Sequence, residues 1–416
     1  MYNLFDYLTW RGDLSFRQVP FNDFDAAMLA CAVYVDVGDA CRTDEGTPLF
    51  ELGRKMEGRK RPTRDFVVLC DRLLQQMLTT PRWRNAVFSR FVDILDGTRQ
   101  IQFAALCCDI PEVGRVLCFR GTDNSLIGWR EDFAMSYETV PAQNAALAYT
   151  EACGGDADLP LYLVGHSKGG NLASYAAVTA RPEIQDRIVG AWSLDGPGLN
   201  DELIASESYR RVLPRLHALI PEASIIGLLM GANPTQTIIR SAAAGIQQHN
   251  VFSWSVLPPC GWDVAEQTTL SSQIIDRTLH DWLREATPEQ RRVFMDALFD
   301  VLESTGASTT TEMKANLLPQ LPNLARAAGG IDRQTGQMIL RLMGQLVSLS
   351  AANSLDLGLA PALSRAAETA AGFIQSKLNS LEKRNEKRLE QSAETAPVLP
   401  PVTALPVGEG KEEPHE

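Results

Sequence analysis

The pentapeptide Gly165-His166-Ser167-Lys168-Gly169 gathers into one short turn the residue types that acyl transfer requires. The apolar run Leu161-Tyr162-Leu163-Val164 precedes it, and a small-residue stretch, 170–180, follows. That order predicts a strand, a sharp turn and a helix. A glycine on each side of the serine removes side chains that would collide with strand and helix. The hydroxyl would stand at a helix N-terminus, where unpaired N–H groups and the helix dipole favour developing negative charge. GxSxG also marks ordinary turns, so its weight comes from its flanks. The apolar run suits a strand buried on both faces of a parallel sheet, and the small residues let a helix pack closely on it.

A serine hydroxyl is a weak nucleophile at neutral pH and needs a base within hydrogen-bond reach, itself oriented by a carboxylate. The chain has five histidines. His166, inside the turn, is expected to point away from Ser167. His217 falls mid-strand, His280 in an apolar helix-like segment and His415 in the C-terminal tail. His249 remains, in the polar, loop-like Gln247-Gln248-His249-Asn250, and the chain order Ser, Asp, His suits a base on a loop after the final strand. For the acid, Asp195 is the first choice, because it ends the strand after the turn's helix and Gly196-Pro197-Gly198 keeps its carboxylate at the sheet rim. Glu222, after the next strand and adjoining Ser224, is the alternative. An oxyanion would need two N–H donors, expected from the backbones of Lys168 and Thr122, the latter in Phe119-Arg120-Gly121-Thr122-Asp123.

These residues require a scaffold. Segments 100–109 and 113–120 read as strands joined by a turn, 142–152 as a helix, 188–194 as a strand and 213–220 as another, stopped at Pro221. Helices are expected over 22–37 and from 65 through 86 to 94, covering one sheet face. Strands alternating with helices give an α/β sheet, whose ligands sit at the carboxyl ends of its strands. Residues 203–216 or 225–246 are candidates for a lid or for buried core. Amphipathic stretches at 290–303, 332–352 and 362–388 predict a helical region over 286–390 after a catalytic domain of 1–285, able to pack on the core or on a partner chain as an oligomer contact. The proline- and glutamate-rich 391–416 should be disordered.

With 45% hydrophobic and 22% charged residues, the 416-residue chain has an ordinary globular composition. A formal charge of -12 argues against nucleic acid as a partner. The basic cluster Arg54-Lys55, Arg59-Lys60-Arg61 and Arg64 is the local exception. The first residues lack a basic and apolar leader, and no run is long enough to span a bilayer. The eight cysteines are scattered without a CxxC pair and read as buried thiols of a reducing cytoplasm. No cofactor or metal is expected.

Cys118-Phe119-Arg120-Gly121-Thr122-Asp123 with Trp129 and Asp132, followed by Val164-Gly165-His166-Ser167-Lys168-Gly169-Gly170-Asn171-Leu172-Ala173, resembles the class 3 lipase pattern. The chain is still more similar to a bacterial family of uncharacterised lipase-like α/β-hydrolases. That likeness lies in Asp6-Tyr7-Leu8-Thr9-Trp10-Arg11-Gly12-Asp13, Asp195-Gly196-Pro197-Gly198, Ser224-Ile225-Ile226-Gly227, and Gln248-His249 with Trp254. It covers roughly residues 1–260. The resemblance implies an α/β-hydrolase fold with Ser167 as nucleophile, His249 as base and the acid at Asp195 or near Glu222. Two departures stand out. Class 3 lipases usually carry an aspartate after the strand ending near Ile220, where this chain has Pro221-Glu222-Ala223-Ser224, and an apolar residue is usual at the position of Lys168. The implied activity is that of a serine esterase or lipase working through an acyl-enzyme. The competing reading is a catalytically silent hydrolase scaffold that binds or assembles partners.

Overall fold

Eight strands form one sheet whose spatial order follows the sequence: β1 (Thr47–Pro48), β2 (Val87–Asp96), β3 (Ile101–Ile110), β4 (Gly114–Phe119), β5 (Leu161–His166), β6 (Ile188–Leu194), β7 (Leu216–Pro221) and β8 (Gln236–Ile239). The computed structural model describes residues 1–273 except 60, 123–130, 133, 136–137, 156–157, 229, 231–235 and 271. The expected helical region 286–390, the tail 391–416, His280 and His415 lie outside the described residues. β1 to β4 pair antiparallel, and β4 to β8 pair parallel. The fold is α/β.

The central strands are apolar throughout because both faces are covered. Along β4, Val116 and Cys118 enter one core while Leu117 and Phe119 enter the other. Parallel strands that are neighbours in both sequence and space, joined by right-handed crossovers, put their connecting helices on the same face. Two helices, α5 (Pro141–Gly155) and α6 (Lys168–Thr179), accordingly pack there against β3 to β6. The opposite face is covered from the N-terminus by α1 (Leu4–Arg11), α2 (Asp23–Ala32), α3 (Leu49–Lys55) and α4 (Asp65–Leu78). Asn3 and Asn22 each start their helix with a reciprocal cap, paired with Asp6 and Asp25 three residues on. Asp25 also receives two bonds from Arg82, at 2.8 and 2.6 Å, in a pair with no solvent exposure.

The helix expected from 65 to 94 is corrected: it ends at Leu78, and Val87–Asp96 is strand β2. Pro81 begins a separate single turn that breaks the helical path. The strand expected over 213–220 begins only at Leu216, after a turn through Pro214. Residues 203–216 are not a lid among the described residues. Tyr209 and Val212 are buried in the core under α6, and the Ser208 hydroxyl donates to the Val178 carbonyl at 2.5 Å. The other lid candidate, 225–246, lies partly outside the described residues.

Seven of the eight cysteines are buried free thiols, and Cys260 is exposed. Among the described residues no helix is long and apolar enough to cross a membrane, and no group of His, Cys, Asp or Glu has the geometry to hold a metal ion.

Candidate active site

Ser167 joins β5 to α6 with φ 59° and ψ -133°, a left-handed conformation that a serine adopts only when its surroundings impose it. The Ser167 N–H donates to the Leu194 carbonyl at 2.9 Å, so the sheet ladder holds the turn from the β6 side. Close packing imposes the rest. A Cβ at Gly165 would collide with the backbone of Gly169, and one at Gly121 would lie 3.0 Å from Ser167 Cβ. The strand, the helix and the loop after β4 therefore meet at van der Waals distance around one serine. Its hydroxyl does not cap α6 and has no hydrogen-bond partner among the described residues.

Asp195 leaves β6 with φ 46° and its side chain 1% exposed. Its N–H donates to the Leu219 carbonyl at 2.8 Å. Ser224 Oγ at 2.5 Å and the Gly227 N–H at 3.1 Å donate to Oδ1, which leaves Oδ2 for His249 Nδ1 at 2.7 Å. A buried carboxylate with three donors stays ordered and orients the imidazole. The following loop is tied to α6 by Asn171, whose amide reaches the Gly198 carbonyl at 2.6 Å and is itself held by Gln143 at 2.9 Å. Glu222 takes part through its backbone, its N–H bonding Ile239 and its carbonyl Thr269. The carboxylate on His249 is that of Asp195.

His249 is held at its main chain as well as its ring. Gln248 accepts from the Ala223 N–H at 2.8 Å and donates to the Ala243 carbonyl at 3.1 Å, while Trp254 Nε1 donates to the Gln248 carbonyl at 2.7 Å. The His249 carbonyl lies 2.8 Å from His166 Nε2. A carbonyl only accepts, so His166 carries its proton on Nε2 and its Nδ1 accepts from the Tyr34 hydroxyl at 3.1 Å. Tyr34 accepts in turn from the Gly121 N–H at 3.1 Å. Burial, reinforced by the neighbouring His249, pushes the His166 pKa down to about 3, so this ring is neutral at physiological pH. Sequence reasoning missed this chain, which runs from the loop after β4 through α2's end to His249. The expectation that His166 points away from Ser167 omits what it points to. The two imidazoles lie 4.6 Å apart between centroids, and no hydrogen bond joins Ser167 Oγ to His249; such contacts often tighten only with substrate bound.

Among the described residues the backbone N–H groups of Thr122 and Lys168 have no acceptor. Their side chains are firmly engaged. Lys168 is completely buried, and its Nζ donates to the Gln102 carbonyl at 2.8 Å and to Glu131 Oε2 at 3.0 Å, with Asp132 Oδ1 at 3.9 Å. Glu131 also accepts from the N–H groups of Gln102 at 3.2 Å and Ala142 at 2.7 Å. The Thr122 hydroxyl donates to Asp132 Oδ2. One acidic pair, Glu131 and Asp132, thus anchors the side chains of both Lys168 and Thr122. The signal in the sequence was the lysine itself, where lipase-like chains usually carry an apolar residue. Trp129 and Asp123, part of the same motif, lie outside the described residues.

Removing one partner of a buried ion pair leaves the other charge uncompensated. Lys168→Met is expected to lower stability by about 3–5 kcal/mol, read from urea unfolding; a loss under about 1 kcal/mol would contradict this packing. Burial raises the Asp132 pKa from 3.8 to about 7, against the opposing pull of Lys168. The folded chain keeps that proton over a range in which the unfolded chain has released it, so stability declines as pH rises from 3.8 towards about 7. Asp132→Asn should remove this slope from a series of denaturation midpoints, and an identical slope in both proteins would refute it. His166 contributes an opposite slope below pH 6.5 in both chains, so their difference isolates Asp132.

A family model described as Mbeg1-like matches residues 77–300, just over half of the chain. No curated protein matches the sequence. The matched span includes Ser167, Asp195, His249, Thr122, Glu131 and Lys168, but not Tyr34.

Proposed function

The chain belongs to the Mbeg1-like family, which is related to lipase-like proteins, and from that premise we propose that it is a serine hydrolase cleaving acyl esters. The observation that carries this reading is the left-handed backbone of Ser167 at a strand-to-helix turn. Strain of that kind persists only where the surroundings over-determine it, and it commonly marks a site of function.

In the proposed mechanism the Ser167 hydroxyl gives its proton to His249 Nε2 as its oxygen attacks the ester carbonyl. The C–O π bond opens and the carbonyl oxygen takes the electron pair. The Lys168 and Thr122 amides stabilise that oxyanion, a contribution of about 2.7–4 kcal/mol per donor in such sites. Asp195, held by Ser224 and Gly227, keeps the His249 proton on Nδ1 and stabilises the imidazolium. Collapse expels the alcohol, which takes the proton from His249. Water, giving a proton to the same imidazole, then attacks the acyl carbonyl; the bond to Ser167 Oγ breaks, the carboxylic acid leaves and Ser167 takes the proton from His249.

Nitrophenyl esters of graded acyl length, offered to the purified chain, test this reading. Hydrolysis with a clear optimum in chain length is expected, following the apolar area each acyl group buries at about 0.8 kcal/mol per CH₂. Absence of turnover across the whole series, with the protein folded, would instead support the scaffold reading.

A further inference from the structure

A cavity of about 570 Å³ has Tyr34 in its wall. Tyr34 is the residue bonded to both Gly121 and His166, so the cavity and the candidate site share a side chain. Arg120, directly before Gly121-Thr122, also lines it, together with Arg42 and Arg64. Its one acidic residue is Asp93, which is engaged by Arg120 through two bonds of 2.7 and 2.6 Å.

The other two cations remain open to a ligand. Arg42 lies 5.2 Å over the Phe91 ring, and its ion-pair partner Asp39 is fully exposed, so that pair is weak. Arg64 has no ion pair or hydrogen bond from its guanidinium among the described residues. It is the N-cap residue of α4, a 14-residue helix, so the positive end of a helix dipole lies at this residue. Within the basic cluster of the sequence, Arg59 and Arg61 both pair with Asp71, and Arg64 does not. The remaining lining is apolar: Val67, half-buried, and Leu95, 56% exposed.

Three arginines against one neutralised aspartate form a local excess of positive charge on a chain of formal charge -12. Guanidinium groups match the planar, multidentate geometry of carboxylate and phosphate. The exposed Leu95 and half-buried Val67 beside them suit an alkyl chain attached to such a group.

We propose that this cavity binds the anionic head group, phosphate or carboxylate, of an amphiphilic ester, with Arg64 and Arg42 as the recognising residues. The ester part of this assignment rests on the hydrolase reading; the binding of the anion does not.

Full-length Ser167→Ala protein, in which turnover is expected to be negligible, serves for titration calorimetry with dodecyl phosphate below its micellar concentration. Inorganic phosphate and dodecyl maltoside are measured alongside. Dodecyl phosphate is expected to bind at least about tenfold more tightly than either. Arg64→Gln and Arg42→Gln should each weaken it by roughly tenfold, the loss of one charge-assisted contact, with circular dichroism unchanged. Equal binding of the neutral detergent, or no effect of the double substitution, would overturn the site. Inorganic phosphate binding as tightly as dodecyl phosphate would overturn the amphiphile. Wild-type turnover of neutral nitrophenyl esters, run in parallel, separates the two readings: turnover without arginine-dependent binding removes only this subsite, and arginine-dependent binding without turnover removes only the hydrolase.

Discussion

Replacing Ser167 by alanine is expected to lower ester hydrolysis on the order of a millionfold in turnover, the scale on which loss of a serine nucleophile acts. Folding should survive the change. Serine and alanine both carry a Cβ, so the cost of holding φ at 59° is already present and is not increased. The hydroxyl has no hydrogen-bond partner among the described residues, so its removal leaves no buried group unsatisfied. The oxyanion donors are backbone amides that the substitution leaves in place, and a residual acceleration of roughly a thousandfold over water should remain from them. A variant retaining a tenth of wild-type turnover would show that another group attacks the ester.

The second large effect is expected at Asp195→Asn, on the order of ten-thousandfold in turnover. Asparagine is the informative replacement because it is among the residues that best tolerate positive φ, and Asp195 has φ 46°. Its amide oxygen can still accept from Ser224 and Gly227. The amide nitrogen, however, would face His249 Nδ1 and donate to it, moving the imidazole proton to Nε2 and leaving no lone pair there for the Ser167 proton. Glu222→Gln is the matched control. Its side chain makes no bond to His249, so turnover should change by less than about twofold, within the range of substitutions away from buried features. A mild effect at Asp195 beside a severe one at Glu222 would transfer the role of acid to Glu222.

The elbow was legible because the elements that announce it are local: an apolar strand, two flanking glycines and a helix of small residues within some twenty positions. The same holds for the strand ending at Asp195. The misread helix over 65–94 has an equally definite cause. β2 carries a register shift between Ser89 and Val92, with Arg90 at φ 52°. The bulge brings Phe88 and Phe91 to the same core, three apart where a regular strand would alternate, and this spacing imitates a helix. The supports of the site were hidden for a different reason. Tyr34, His166 and His249 meet only after the chain has crossed the sheet, and so do Lys168 and Glu131. Periodicity carries no information on such pairs. A charged residue one position after the nucleophile reads as solvent-exposed unless its buried partners are known.

A fluorophosphonate probe with peptide mapping by mass spectrometry tests most directly whether Ser167 is an activated nucleophile. The full-length folded chain should acquire a single adduct, on the peptide carrying Ser167. Labelling should disappear in Ser167→Ala and slow by orders of magnitude in Asp195→Asn. A well-folded chain that takes up no probe, or carries the adduct on another residue, would contradict the assignment.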